Sequence, residues 1–89
     1  MLTFEQMVSI GVGLNIWTVN KNQLKVVDLN HKGLNSVYIY ENTRGGKQII
    51  VGSDGKVLAF SSSISLDKVI DDIKHNNLWK RAVDVEKLK

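Results

Sequence analysis

Asp71 and His75 have residue types and a spacing that could support chemistry. They lie four positions apart in a segment with helical periodicity, so both would face one side of a helix. A carboxylate at this spacing can orient an imidazole for proton transfer or begin a metal site. The other histidine, His31, falls in a predicted turn, and two histidines without any cysteine make a poor set of metal ligands. We therefore interpret Asp71 and His75 as an Asp–His pair on a solvated helix face.

The segment from Thr43 to Lys47 places two cations around two glycines. Backbone amides in such a loop, flanked by Arg44 and Lys47, can hold a phosphate. The segment lacks the spacing and the following helix of a P-loop, so we interpret it first as a connection between two strands. Arg44, Lys47 and Lys56 are our candidate contacts to phosphate or nucleic acid.

Tyr38 and Tyr40 are predicted to share one face of a strand, because side chains alternate along a strand with a period of two. Sheets that stack nucleic-acid bases use this geometry. The competing interpretation is packing against Ile50, Leu58 or Phe60 beneath a helix, and these apolar neighbours favour it. Both tyrosines are kept as candidate interface residues.

Trp79 is our preferred interface anchor. It follows two asparagines and precedes Lys80-Arg81, a context typical of a partly exposed side chain. Tryptophan is enriched at the binding hot spots of protein interfaces. Serines occur together at 61–63, but no histidine is paired with them by spacing. We predict no catalytic site, no cofactor and no metal, and therefore not an enzyme.

These candidates depend on a predicted antiparallel meander between Val37 and Phe60. Three apolar runs rich in β-branched and aromatic residues are separated by two glycine-bearing turns, which predicts strands over 37–42, 47–51 and 56–61. The second turn, residues 52–55, suits a tight hairpin in which Gly55 takes positive φ. Apolar residues fall on both faces of this sheet, whereas a one-sided antiparallel sheet alternates cleanly between apolar and polar. Each face must therefore be shielded from water by another part of the chain or by a partner.

Helices are predicted on both sides of the meander in sequence. The capping-box pattern at Thr3 and an apolar repeat predict a helix over about 3–13, and Ser65 begins a second helix over 65–76. Residues 15–20 allow either a continuation of the first helix or a strand, and we prefer a helix that ends near Gly13. A further strand is predicted at 24–29, and a last helix is open at 78–88.

The chain is thus predicted to be a single small α+β domain, residues 1–89. An antiparallel meander of three to five strands, centred on 37–60, is packed by an N-terminal helix and one or two C-terminal helices. Eighty-nine residues suffice for one modest core. The apolar stripe from Leu66 to Ile73 can cover only one side of the sheet, so the N-terminal helix or a partner must cover the other.

We expect a small non-enzymatic protein that acts through protein–protein interaction or self-association. The alternative is nucleic-acid binding through the basic loops and one face of the sheet. In general shape, Val37–Asn76 resembles small DNA-binding domains that lay a three-stranded sheet in the major groove. Net charge is +3 and is spread evenly along the chain, which does not mark one segment as a nucleic-acid site.

Composition also bears on location. No apolar run approaches the roughly 18–20 residues needed to span a bilayer, so we expect no membrane association. The first nineteen residues are apolar but lack the basic start of a signal peptide. Together with the absence of cysteine, these features predict a cytoplasmic protein.

Overall fold

The sheet and its helices are seen in a computed structural model, which describes residues 1–43, 45–60 and 63–84. The two α-helices are α1 (Phe4–Val12) and α2 (Leu66–His75). The strands are β1 (Leu24–Asp28), β2 (Ser36–Glu41), β3 (Gln48–Gly52), β4 (Lys56–Phe60) and β5 (Val83–Asp84). Three short 3-10 helices lie between them, at Lys21–Gln23, Asn30–Lys32 and Leu78–Arg81.

The five strands form one sheet in the order β1-β2-β3-β4-β5, with every neighbouring pair antiparallel. The register between β2 and β3 pairs Tyr38 with Ile50, and that between β3 and β4 pairs Ile50 with Leu58. This arrangement confirms the predicted α+β class and antiparallel meander, with an N-terminal helix on the sheet and one C-terminal α-helix.

The N-terminal helix covers one face of the sheet. Thr3 accepts a hydrogen bond from the Gln6 amide, and the Gln6 side chain accepts one from the Thr3 amide, which completes the capping box. The helix then buries apolar side chains against the odd-numbered residues of β2, β3 and β4. The buried members of this cluster are Met7, Leu14, Val37, Ile39, Ile49, Val51 and Val57.

Gly11 determines how closely α1 approaches the sheet. A Cβ atom at this position would lie 2.3 Å from Cδ1 of Ile39 and 3.0 Å from Cγ2 of Val51. The first distance is shorter than a carbon–carbon contact allows and the second is at its lower limit, so a larger residue would push the helix or the side chains apart. A glycine that costs about 1 kcal/mol in helix propensity therefore permits close packing here.

The second helix covers the opposite face. Val69 and Ile70 are buried against the even-numbered residues of β2, β3 and β4, together with Leu29. Ser65 caps the helix by accepting a hydrogen bond from the Lys68 amide. Because α1 already covers the first face, the central strands are covered on both sides. The sequence leaves open whether the N-terminal helix or a partner covers that first face, and the structure shows that the helix does.

Residues 15–20 are neither the strand nor the helix continuation considered from the sequence. They form turns and bends after α1, and the backbone is fixed by side chains instead of by a ladder. The Trp17 indole donates to the carbonyl of Gly11, and Thr18 donates from its amide and its hydroxyl to the Glu41 carboxylate. Hydrogen bonds to side chains replace pairing with a neighbouring strand in this segment.

The last helix considered from the sequence, over 78–88, is absent from its described part. Leu78–Arg81 is a single 3-10 turn, and Val83–Asp84 pairs with Lys56 and Val57 as β5. Residues 85–88 of that interpretation lie outside the described residues. Pairing with β5 gives hydrogen-bond partners to backbone groups on the outer edge of β4, which would otherwise be unpaired.

Replacing Gly11 with alanine should lower the free energy of unfolding by about 1–2 kcal/mol, since the overpacking cost exceeds the gain in helix propensity. Urea denaturation measures this change. In the double variant Gly11→Ala/Ile39→Val, which removes the clashing Cδ1, the loss should be smaller than the sum of the two single losses. Ser9→Ala, at an exposed position of the same helix, is the control and should not destabilise. A stabilised Gly11→Ala variant would contradict the close contact.

The Glu41 carboxylate should make folding pH-dependent. Its side chain is 4% exposed, and the pKa of Glu41 is lowered first by the Thr18 hydroxyl, then by the Thr18 amide and the charge of Lys47. An unfolded glutamate titrates at about 4.3, so this stabilisation is complete above that pH and is lost as pH falls through the lower folded pKa.

Free energies of unfolding measured at about pH 7 and about pH 3 test this prediction. The loss on acidification should be larger for the wild type than for Glu41→Gln. Thr18→Val, which removes the donating hydroxyl, should lie between the two. Equal losses in the wild type and in Glu41→Gln would show that the carboxylate has the same pKa folded and unfolded.

Candidate functional site

The two tyrosines predicted as interface residues belong to the core on the α2 side of the sheet. The Tyr38 ring stacks on Tyr40 with centroids 4.8 Å apart and on Phe60 at 6.0 Å, and its hydroxyl donates to the Gln48 side chain. Tyr38 is only 8% exposed, and burial raises its pKa. Its ring is therefore not open to a partner or a base, and Tyr40 is half-buried beside it.

The two candidate phosphate contacts that the structure describes, Lys47 and Lys56, do not converge. Lys47 precedes β3 and Lys56 begins β4, so the two lysines lie at opposite ends of the β3–β4 hairpin, and Arg44 lies outside the described residues. The Gly46 amide donates to the Thr43 carbonyl within its own turn instead of pointing to a free anion site. Nucleic-acid binding stays a prediction without support from this geometry.

Asp71 and His75 lie side by side on the surface of α2, as expected from their spacing. The His75 Nε2 atom lies 3.6 Å from the Asp71 carboxylate, and both side chains are more than half exposed. Within the described ranges, no group of three or more histidine, cysteine, aspartate or glutamate residues could hold a metal ion. Because both side chains are exposed, the pair lacks the buried environment that is typical of catalytic groups.

Trp79 is placed by the reversal of the chain after α2. Asn77 adopts left-handed backbone, with φ 52° and ψ 40°, a conformation that asparagine tolerates better than most residues. The 3-10 helix Leu78–Arg81 follows directly and directs the Trp79 ring back towards the sheet. The Ala82 amide donates to the Trp79 carbonyl and closes this turn.

The hairpin between β3 and β4 fixes the Trp79 ring. The Trp79 Nε1 atom donates to Oδ2 of Asp54 at 2.8 Å, while Oδ1 of Asp54 accepts from the Lys56 amide at 3.0 Å. The ring lies against Gly52, where a Cβ atom would be only 2.5 Å from Cζ2 of Trp79. Only glycine at position 52 allows the indole to lie this close to the strand.

A cleft of about 250 Å³ opens beside this ring, at the end of the sheet where β2 begins and β3 ends. We call it the Trp79 cleft. Ser36 and Gly52, which are cross-strand partners, form its buried floor. The complete lining is Leu34, Asn35, Ser36, Gly52, Ser53, Asp54, Ile73 and Trp79.

Ser36, one of the residues that line the cleft, has an unusual hydroxyl group. The residue is 5% exposed, and its Oγ atom is buried without a hydrogen-bond partner among the described residues. A buried hydroxyl without a partner costs about 1–3 kcal/mol, so such groups are rare in folded proteins. The backbone of Ser36 is satisfied, since its amide donates to Leu34 and its carbonyl accepts from Leu29. The side chain alone lacks a partner.

Sequence reasoning proposed Trp79 but did not name Ser36, Gly52 and Asp54, which line the same cleft. A signal was available for the first two residues. Ser36 falls on the same strand face as Tyr38 and Tyr40, and the hairpin register places Gly52 opposite it. Two small residues side by side, on a sheet face that otherwise carries large side chains, predict a local depression in that face. The bond from Trp79 to Asp54 spans 25 positions and has no local signal.

Compared with protein-family models, with characterised proteins and with solved structures, the chain shows no significant match to any of them. The fold and the cleft are therefore the basis for any statement about function. In the part of the chain that the structure describes, no helix has both the length and the apolar character needed to cross a bilayer.

Two serine substitutions should have opposite effects on stability. Ser36→Ala removes a buried hydroxyl that has no partner and should raise the free energy of unfolding by about 1 kcal/mol. Ser65→Ala removes the helix cap of α2 and should lower it by about 1 kcal/mol. Urea denaturation of the two variants measures both changes. A loss of stability in Ser36→Ala would show that the hydroxyl is already satisfied in the free protein.

Proposed function

We propose that this protein is a small non-enzymatic binding module, and that the Trp79 cleft receives a side chain from a protein partner. The observation that carries the proposal is a cleft of about 250 Å³ beside a tryptophan whose indole N–H is already bonded to Asp54. Binding sites combine apolar walls with a few placed polar groups, and this cleft has both.

The walls of the cleft favour an apolar occupant. Leu34, Ile73 and Trp79 are each partly buried, and they offer aliphatic and aromatic surface that a partner could remove from water. Cavities of about 150 Å³ already accommodate a benzene ring. A cleft of about 250 Å³ therefore has room for one large side chain.

The fixed position of Trp79 lowers the cost of binding. Its Nε1 atom is held by Asp54 before any partner arrives, so the indole need not lose further rotational freedom on association. Rigid aromatic side chains with pockets beside them are the usual hot spots of protein interfaces. Asn35, Ser53 and Asp54 surround the opening and could pair with the backbone of a partner.

A helix lies on each face of the central strands, so neither face is bare. The reason for expecting self-association through a bare face is therefore removed. The same covering removes the bare face as a reason to expect a protein partner, so that expectation now rests on the Trp79 cleft. The Trp79 cleft offers a concave and partly apolar surface that neither helix fills.

Selection of a random peptide library displayed on phage, with the immobilised protein as target, tests the proposal. Recovered peptides should bind the wild type and should bind Trp79→Ala at least tenfold more weakly, since hot-spot truncations cost about 2 kcal/mol or more. Phe4→Ala is the matched control. It removes an exposed aromatic residue from α1, on the opposite face of the sheet, and should leave binding unchanged.

Amide NMR spectra of the variants show whether they are folded. Should Trp79→Ala unfold, Trp79→Phe retains an aromatic ring over Gly52 and should give an intermediate loss of affinity. Peptides that bind wild type and Trp79→Ala equally well, or that shift resonances only outside the cleft, would contradict the proposal.

A further inference from the structure

We infer that the outer edge of β4 binds the C-terminal end of an extended protein segment, whose terminal carboxylate pairs with Arg81. This surface is separate from the Trp79 cleft, since no described residue lines both. A second contact is thereby added to the proposed binding module, and it can fail while the Trp79 cleft stands.

Part of the outer edge of β4 has no neighbouring strand. β5 pairs with Lys56 and Val57, and before Val83 the chain turns away into the 3-10 helix Leu78–Arg81. Among the described residues, no strand pairs with residues 58–60 on this side. Such an edge can accept a further strand, because its backbone groups have no ladder partner.

The backbone groups of Ala59 point to this open side. The Glu41 amide donates to the carbonyl of Lys47, which directly precedes β3, so odd-numbered residues of β3 bond to β2. Backbone groups alternate in direction along a strand, and even-numbered residues of β3 therefore bond to β4. Leu58 pairs with Ile50 and faces β3. The N–H and C=O groups of Ala59 consequently face outward.

The opposite edge of the sheet carries charges that oppose strand addition. Lys25 and Asp28 are exposed on β1, whereas residues 58–60 of β4 are leucine, alanine and phenylalanine. Charged side chains on an exposed edge keep other chains from pairing with it. The uncovered part of β4 lacks this protection.

Hollows lie on both faces of the sheet beside the open edge. A groove of about 460 Å³ lies on the α2 side, and we call it the β4 groove. A second hollow of about 360 Å³ lies on the α1 side, and Ala59 and Phe60 line both. Side chains alternate between the faces of a strand, so successive residues of an added strand would enter the two hollows.

The direction of β5 determines which end of the added segment reaches Arg81. A strand antiparallel to β4 runs in the same direction as β5, so its C-terminal end meets the 3-10 helix that ends at Arg81. A longer strand would collide with this helix. The β4 strand of a second copy fits poorly, because two-fold pairing about Ala59 extends equally to both sides and would meet Val83.

The charges of the β4 groove favour a carboxylate. Its described charged lining residues are Asp72 and Arg81. Oδ1 of Asp72 already accepts from Nζ of Lys68 at 3.0 Å and from Nδ2 of Asn76 at 2.8 Å. Arg81 forms no ion pair with another described residue. The groove therefore has one uncommitted charge, a guanidinium, which pairs well with a carboxylate.

A terminal residue opposite Ala59 would satisfy all these groups. Its N–H would donate to the Ala59 carbonyl, one carboxylate oxygen would accept from the Ala59 amide, and the other would pair with Arg81. A parallel strand would instead bring an N-terminal ammonium group to Arg81, where like charges repel.

A library of short random peptides, displayed on phage with free C-termini and selected on the intact protein, supplies the probe. The most enriched peptide is synthesised as the carboxylate and as the carboxamide. The carboxylate should bind the wild type about ten- to a hundredfold more tightly, the range expected for hydrogen bonds to a charged group. In Arg81→Gln the two forms should bind nearly equally, whereas Arg81→Lys should keep part of the preference.

Lys80→Gln is the matched control. It removes the same charge from an exposed position of the same 3-10 helix, outside the lining of the β4 groove, and should keep the full preference. Amide NMR spectra show that each variant is folded.

Hydrogen exchange followed by NMR tests the backbone pairing. The Ala59 amide should exchange rapidly in the free protein and about tenfold more slowly or less in the complex, since it gains a ladder partner. The Leu58 amide, which faces β3, should be protected in both states.

Several results would overturn the inference. Equal affinity of the two peptide forms for the wild type, or a preference that survives in Arg81→Gln, would exclude a terminal carboxylate at Arg81. An Ala59 amide already protected in the free protein would show that the chain itself covers this edge, and protection that rises with protein concentration would assign the edge to a second copy. Shifts confined to the Gly52 amide and the Trp79 indole would place the peptide in the Trp79 cleft, which overturns the β4 groove and leaves the proposed function in place.

Discussion

Removal of two apolar sheet faces from water is the constraint on which the rest of this structure depends. The central strands carry β-branched or aromatic side chains on both sides, and an exposed sheet of this kind would associate with itself or with other proteins. The chain provides one helix for each face, α1 before the sheet and α2 after β4. Every other segment either connects these layers or fills the space that they leave.

The elements that cover the two faces of the sheet do not pack equally closely on it. The positions of Gly11 and Gly52 are one reason. On the first face Gly11 lets the α1 backbone pack directly against Ile39 and Val51. On the second face Gly52 lies in the strand itself, and the side chain that fills its notch comes from Trp79, beyond the end of α2. Because a single indole fills this end instead of a helical stripe, the filling is incomplete and the Trp79 cleft remains.

The sequence predicts the meander, both helices and the need for a cover on each face, because these features depend on periodicity and on local turn residues. It does not predict the path of residues 15–20, where the Trp17 indole bonds back to Gly11 and Thr18 bonds to Glu41. Glutamate at the end of β2 looks like an ordinary exposed charge in the sequence, and only tertiary contact shows it as a buried acceptor. The sequence does not predict β5 either, because a strand of two residues is too short to show a periodic pattern.

The same distinction between local features and tertiary contacts applies to the candidate site. Trp79 is recognisable because its residue type and polar neighbours are local features, whereas its fixed orientation depends on Asp54 in a distant hairpin. Ser36 could be placed on a strand face from alternation alone, yet the missing partner of its hydroxyl is visible only in three dimensions.

The Ser36 hydroxyl is also the point at which this sequence departs from the rule that the rest of the α2-facing sheet follows. Its neighbours on that face, Tyr38 and Ile50, bury apolar surface, and the one phenol hydroxyl among them is satisfied by Gln48. Alanine at position 36 would fit the same space without a polar atom, and a satisfied serine would need a partner that the cleft does not provide. Local departures from good packing concentrate where a protein binds something, because selection for stability alone removes them. The departure lies among the residues that line the Trp79 cleft, beside a tryptophan whose N–H already donates to Asp54.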